Sequence, residues 1–261
     1  MNTTILIPAR YASSRFPGKP LATLTGADGT KTLVQRSWEA ACAVSGVDAV
    51  YVATDDDRIR DAARDFGAEV IMTAPECENG TVRCADALER AGLESDLIVN
   101  LQGDAPLTPA WFVEDLIAAM KADPAAEVAT PVVRCDAQTY GHFTEDRQAG
   151  RVGGTTAVFD AEGFALYFSK EVIPYIDPAK RGANFGRVFH HVGLYAYRPE
   201  ALRAYTGWTP GPLEGLEGLE QLRFLENGRK VRCVEVDAKG RVFWELNNPE
   251  DVARIESILT A

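Results

Sequence analysis

Residues 97–104 read LIVNLQGD. The continuous apolar start fits a strand covered on both faces, as strands are in a parallel sheet flanked by helices. Upstream, strand and helix signals alternate. TTILIP (3–8) is a buried strand, after which Thr32 can cap a helix with Leu33, Val34, Trp38 and Ala41 on one face, ending near Gly46. AVYVAT (49–54) is the second strand. Asp55 or Asp56 then caps a helix in which Ile59, Ala62, Ala63 and Phe66 recur at i, i+3, i+4 and i+7, and Gly67 stops it. AEVIM (68–72) is the third strand, and a helix around 85–91 leads into LIVNLQGD. This order predicts an open α/β sheet of Rossmann-like type, in which ligands bind beyond the carboxyl ends of the strands. The loops after ILIP, YVAT and VNLQGD would meet at that edge.

From about Glu127 the pattern changes. EVATPVV, TTAVFD and HVGLYAY are separated by polar or glycine-containing loops, which predicts antiparallel additions or an inserted subdomain over about 127–200 inside a single domain spanning 1–261. The α/β pattern resumes with a helix around 216–225, the strand KVRCVEV and a terminal amphipathic helix, PEDVARIESIL, entered by a proline.

The chain has 261 residues, with 27 basic and 38 acidic side chains and a formal charge of -11. That balance disfavours nucleic acid or an anionic membrane as a partner. Five scattered cysteines (Cys42, Cys77, Cys84, Cys135 and Cys233) suggest neither a disulfide framework nor a zinc cluster. No apolar run approaches the roughly 20 residues of a membrane helix, and the first residues lack a secretory pattern. A cytoplasmic protein is expected.

Against the acidic background, residues 1–27 contain no acid at all, and Arg10, Arg15 and Lys19 fall within IPARYASSRFPGKPL (7–21). Gly18 permits close backbone approach, Pro8, Pro17 and Pro20 limit flexibility, and three long cations can converge on a polyphosphate. No G-x-G-x-x-G follows the first strand, and Gly18-Lys19 is followed by Pro20 in place of the P-loop Ser or Thr. The stretch predicts a nucleoside triphosphate site of neither the dinucleotide nor the Walker kind.

IPARYASSRFPGKPL resembles the N-terminal signature of the CMP-Kdo synthetases (3-deoxy-manno-octulosonate cytidylyltransferases), relatives of the sialic acid cytidylyltransferases. YVATDD, NGTVR, VNLQGDAPL, DAEGFALYFSKEVIPY, HHVGLYAYR, PLEGLEGLEQLRFLENG and NNPEDVARIE follow in the family's order. The resemblance implies a nucleotide-diphospho-sugar transferase fold, a homodimer built through the inserted region, and a Mg²⁺-dependent reaction of CTP with a 2-ulosonic sugar acid (Kdo or a relative) giving the CMP-sugar and pyrophosphate.

By position, the resemblance assigns Arg10, Arg15 and Lys19 to the triphosphate and Asn79, Gly80, Thr81 and Arg83 to the nucleotide. Asp104 becomes a metal ligand, and Gln102, Lys170, His191, Tyr195, Glu220 and Gln221 become sugar contacts. Simpler readings stand beside these: ENGT as a helix-start turn, His191 as a core histidine, Glu220 and Gln221 as a polar helix face. The chain also departs from the family pattern. Val82 and Ala105 replace acids, Thr156 stands near a lysine position, Lys170 replaces an arginine, and Asn247 replaces an aspartate that ligates metal. Glu245, two residues before Asn247, is an alternative ligand. These departures leave open an acceptor that is another small acid, such as a phosphonate, or a weakened paralogue that only binds.

Overall fold

The computed structural model describes residues 1–12, 16–151, 154–241, 246, 249 and 251–260. Its strands, in chain order, are β1 (Thr3–Ala9), β2 (Thr23–Gly26), β3 (Gly29–Thr32), β4 (Ala49–Thr54), β5 (Glu69–Met72), β6 (Leu97–Leu101), β7 (Val128–Arg134), β8 (Thr155–Phe159), β9 (Ala165–Ser169), β10 (Phe189–His191), β11 (Leu194–Tyr197) and β12 (Val231–Glu235). Strands β2 and β3 form a separate hairpin. The other ten build one sheet in the order β5-β4-β1-β6-β11-β7-β10-β8-β9, with β12 on β7.

Strands β5, β4, β1 and β6 are mutually parallel, as the alternating pattern predicts. All seven residues of β1 and all five of β6 are buried, because helices cover both faces. Successive side chains point to opposite faces. Leu6 and Ile98 therefore join Tyr197, Tyr205 and Phe224 on one side, while Ile5, Ile7, Val99 and Leu101 pack with Phe112 and Leu116 on the other. Each large apolar side chain so enclosed contributes about 1.5–3 kcal/mol.

The helix starts follow local chemistry. Thr32 accepts a hydrogen bond from Gln35 N ahead of Leu33–Cys42, and Asp56 accepts from Arg58 N ahead of Asp57–Asp65. Gly67, at φ +89°, ends the second of these. The helix expected around 85–91 begins earlier, as Gly80–Arg90, because Asn79 caps it.

The antiparallel half extends the same sheet. Strand β11 runs antiparallel to both β6 and β7, β10 to β7 and β8, and β8 to β9. HVGLYAY is divided between β10 and β11. A helix at Ala137–Gln148 and strand β9 are additions to the expected pattern. The helix expected around 216–225 is two pieces, Pro212–Glu217 and Leu222–Glu226. Gly218, at φ +61°, breaks it by entering the left-handed region.

The turn after β6 depends on one absent side chain. A Cβ on Gly103 would stand 2.8 Å from the carbonyl oxygen of Pro8, at the end of the neighbouring β1. Gly103→Ala should therefore push the two strand ends apart and lower stability by about 1–3 kcal/mol. Urea denaturation measures this, and an unchanged midpoint would contradict the close approach.

Candidate active site

Beyond the carboxyl ends of β1 and β6 lies a cavity of about 1900 Å³. Pro8, Ala9, Arg10 and Lys19 form one wall and Gln102, Gly103 and Asp104 the next. Lys170, His190, His191, Tyr195, Glu220 and Gln221 line it further along. Of the residues assigned by position, Arg10, Lys19, Asn79, Gly80, Arg83, Gln102, Asp104, Lys170, His191, Tyr195, Glu220 and Gln221 all border this one space. Arg15, Asn247 and Glu245 lie outside the described residues.

Beside the ends of β1 and β6, Lys19 Nζ donates to Asp104 Oδ2 at 2.6 Å. Arg10 is exposed and donates to the carbonyl of Glu78 at 3.3 Å. Gly18, at φ +72°, turns the chain so that its N–H meets the carbonyl of Tyr11, whose ring lies under the guanidinium of Arg58 at 3.3 Å. A left-handed turn and a cation-π contact thus fix the arm that carries Lys19.

The NGTVR segment divides between site and scaffold. Asn79 caps its helix by accepting from Val82 N and donates to the hydroxyl of Tyr205. Gly80 leaves a slot, since a Cβ there would come within 2.9 Å of Gln102 Nε2. Thr81 faces away from the cavity, its hydroxyl buried against that of Tyr197 at 2.9 Å, because a helix turns the residue after Gly80 toward the core. Arg83 is buried, bonded to Thr73 and 2.8 Å from Asp55.

At the other end, Tyr195 donates to Gln221 Oε1 at 3.1 Å. Gln221 Nε2 is buried without a partner among the described residues, a donor ready for a ligand oxygen. The break at Gly218 aims Glu220 and Gln221 inward, so neither sits on a polar helix face. Glu220 accepts from Thr81 N and Gln102 Nε2, and burial raises its pKa. Lys170 borders the cavity, its Nζ beside Gly218.

His191 is buried, and desolvation, aided by neighbouring His190, lowers its pKa to about 3. Its Nε2 lies 3.0 Å from the hydroxyl of Thr130, which also donates to the carbonyl of Leu194 at 2.9 Å. A hydroxyl has one proton to give. Thr130 therefore accepts from Nε2–H, which leaves Nδ1 as the acceptor of a neutral ring. This histidine can hold a hydroxyl, while Lys170 supplies the positive charge.

Several assignments depart from the family pattern without disturbing the fold. Ala105 is buried in the turn after β6, and Val82 packs on the core. Thr156 accepts from Ile173 N and donates to the carbonyl of Glu171, so it ties down the chain after β9. Unforeseen in the sequence was Arg223, buried between Glu214 and Glu78, which anchors the segment before Asn79. Asn100 was also missed. Its amide has no partner among the described residues and lies beneath Gly80, and the signal was a single amide inside an apolar strand.

Among the described residues no three His, Cys, Asp or Glu side chains converge on a cation site. Asp104 alone would suit Mg²⁺ shared with phosphate oxygens, because this ion is commonly held by one or two carboxylates plus substrate phosphates.

Burial lowers the pKa of His190 to about 4 and that of His191 to about 3, whereas an unfolded imidazole binds its proton near 6.5. Between those values the unfolded chain holds more protons, so acid favours unfolding. Stability should fall by about 1.4 kcal/mol per pH unit per histidine below pH 6.5. Denaturation of the wild type and a His190→Phe variant from pH 7 to 5 tests this, and parallel curves would contradict it.

Residues 4–231 match the family model described as Cytidylyltransferase. The 3-deoxy-manno-octulosonate cytidylyltransferase of Maricaulis maris (strain MCS10) is 44% identical over 100% of this chain and 98% of its own length. The 8-amino-3,8-dideoxy-manno-octulosonate cytidylyltransferase of Shewanella sediminis (strain HAW-EB3) is 42% identical over 99% of each. A solved CMP:2-keto-3-deoxy-manno-octonic acid synthetase, complexed with CTP, superposes with a TM-score of 0.84 at 35% identity, over 99% of this chain and 98% of that one. Cavity, strand order and full-length similarity agree, and the chain belongs to the cytidylyltransferase family.

Proposed function

We propose that this chain activates 3-deoxy-manno-octulosonate with CTP, giving the CMP-sugar and pyrophosphate. The observation that carries the reading is the meeting of Arg10, Lys19 and Asp104 at one end of a cavity whose other end offers Lys170, Tyr195 and Gln221. The relatives, matched over essentially their whole length, favour it over a non-sugar acceptor or a binding-only paralogue.

The anomeric oxygen forms a bond to the α-phosphorus, the bond from that phosphorus to the bridging oxygen breaks, and the hydroxyl proton passes to solvent. Positioning and charge stabilisation supply the rate in such a transfer. Arg10 and Lys19 offset the charge gathering on the departing pyrophosphate. Lys170 pairs with the sugar carboxylate as a point charge, Gln221 Nε2 donates to a sugar oxygen, and neutral His191 accepts from a hydroxyl. Asp104 would hold magnesium together with the phosphates, and the ion would supply further charge neutralisation.

A second acceptor is favoured by a specific finding: relatives of nearly equal identity are named for the 8-amino sugar acid. Assay of pyrophosphate release with both sugar acids tests the reading. Turnover with at least one is expected, and turnover with neither, despite CTP binding, would overturn it. Asp104→Ala should lower kcat at least about 100-fold with an unchanged circular dichroism spectrum. Retained activity would remove Asp104 from the mechanism.

The chain is also proposed to form a homodimer. Strand β9 ends the sheet, and exposed Leu166, Tyr175, Leu213 and Leu216 belong to it or to the segments that follow. An open strand edge with exposed apolar side chains favours a second copy as cover. Sedimentation equilibrium should give twice the chain mass, falling toward one chain in Leu166→Glu with Leu216→Glu. A monomeric wild type would refute this.

A further inference from the structure

Lys19 and Asp104 form an ion pair at 2.6 Å, with side chains only 16% and 26% exposed. On the reading above, Asp104 is the carboxylate that shares magnesium with the nucleotide. Its Oδ2 is already engaged by an ammonium, which offsets its charge and occupies the approach a divalent cation would use.

The backbones on both sides are fixed. Gly18 N bonds to Tyr11 O, Leu21 N to Gly18 O, and Pro20 is buried, which anchors the main chain around Lys19. Across the gap, Leu246 N bonds to Asp104 O, and Gly103 is pressed against the carbonyl of Pro8. The pair can therefore open chiefly by rotation of the lysine side chain, a flexible four-carbon stem. A triphosphate in the cavity offers that ammonium several anionic oxygens in exchange for one carboxylate.

We propose that Lys19 gates metal entry: its ammonium holds Asp104 until a nucleotide's triphosphate draws it away, so that a divalent cation binds with the nucleotide and not before it. The proposal rests on the cytidylyltransferase reading. The two ligands then tighten each other by one common factor, since binding linkage is reciprocal.

The test follows Mn²⁺ binding by the loss of its free-ion electron paramagnetic resonance signal, with no sugar acid present. Wild type, Lys19→Met and Lys19→Arg are each titrated without nucleotide and with CTP, the latter read against the same CTP without protein so that Mn²⁺ held by the free nucleotide is subtracted. Wild type alone should bind Mn²⁺ weakly, and CTP should tighten binding between about 5- and 150-fold. Lys19→Met, confirmed as folded by thermal denaturation, should bind Mn²⁺ at least about 5-fold more tightly than wild type without nucleotide. Lys19→Arg keeps a cation there and should stay weak. Adding Asp104→Asn to Lys19→Met should abolish the gain.

Equal or weaker Mn²⁺ affinity in nucleotide-free Lys19→Met would overturn the gate, as would a gain that survives Asp104→Asn. Failure of CTP to bind wild type would instead overturn the functional reading, and the nucleotide-free comparison would still decide the gate.

Discussion

The site depends on two neighbouring parallel strands ending side by side. Strands β1 and β6 pair in register from Thr3↔Leu97 to Leu6↔Asn100, so the chain leaving each emerges at the same edge of the sheet. One exit carries Arg10 and Lys19, the other Gln102 and Asp104. The ion pair of Lys19 with Asp104 is the contact across that gap. Gly103 sets how narrow the gap is, because any side chain there would meet the backbone of Pro8. The pair thus sets opposite charges side by side at the edge of the sheet.

The remaining half of the sheet supplies another wall of the cavity. Strand β11 enters between β6 and β7 in the antiparallel sense, which sets Tyr195 opposite Asn100 and leads to the hydrogen bond with Gln221. The left-handed turn at Gly218 then directs Glu220 and Gln221 toward the cavity. Burial has a chemical consequence here: it keeps His191 neutral and raises the pKa of Glu220, so among these groups the available positive charge is that of Lys170. These groups combine one cation with several neutral hydrogen-bonding partners along the cavity.

Much of this was legible in the sequence, for identifiable reasons. Buried parallel strands write themselves as continuous apolar runs, and caps such as Thr32 and Asp56 mark where helices begin, so the first half of the fold could be read locally. The acid-free arm containing Arg10 and Lys19 was visible against an acidic chain. What could not be read depends on tertiary contacts. The break at Gly218 interrupts an otherwise helical pattern, Thr81 turns inward because Tyr197 waits for its hydroxyl, and Arg223 is buried only because Glu214 and Glu78 come together around it. Asn100 could have been noticed as the lone amide in an apolar strand, but its position beneath Gly80 follows from the packing of a helix on the sheet.

The central claim is that the arm and the carboxylate meet across one nucleotide. The most direct measurement is a crystal structure with CTP and Mn²⁺, using the anomalous signal of manganese to locate the ion. The account predicts manganese on Asp104, with Lys19 Nζ moved from that carboxylate onto a phosphate oxygen and Arg10 beside the same triphosphate. An intact pair of Lys19 with Asp104, with the nucleotide or the ion bound elsewhere, would contradict it.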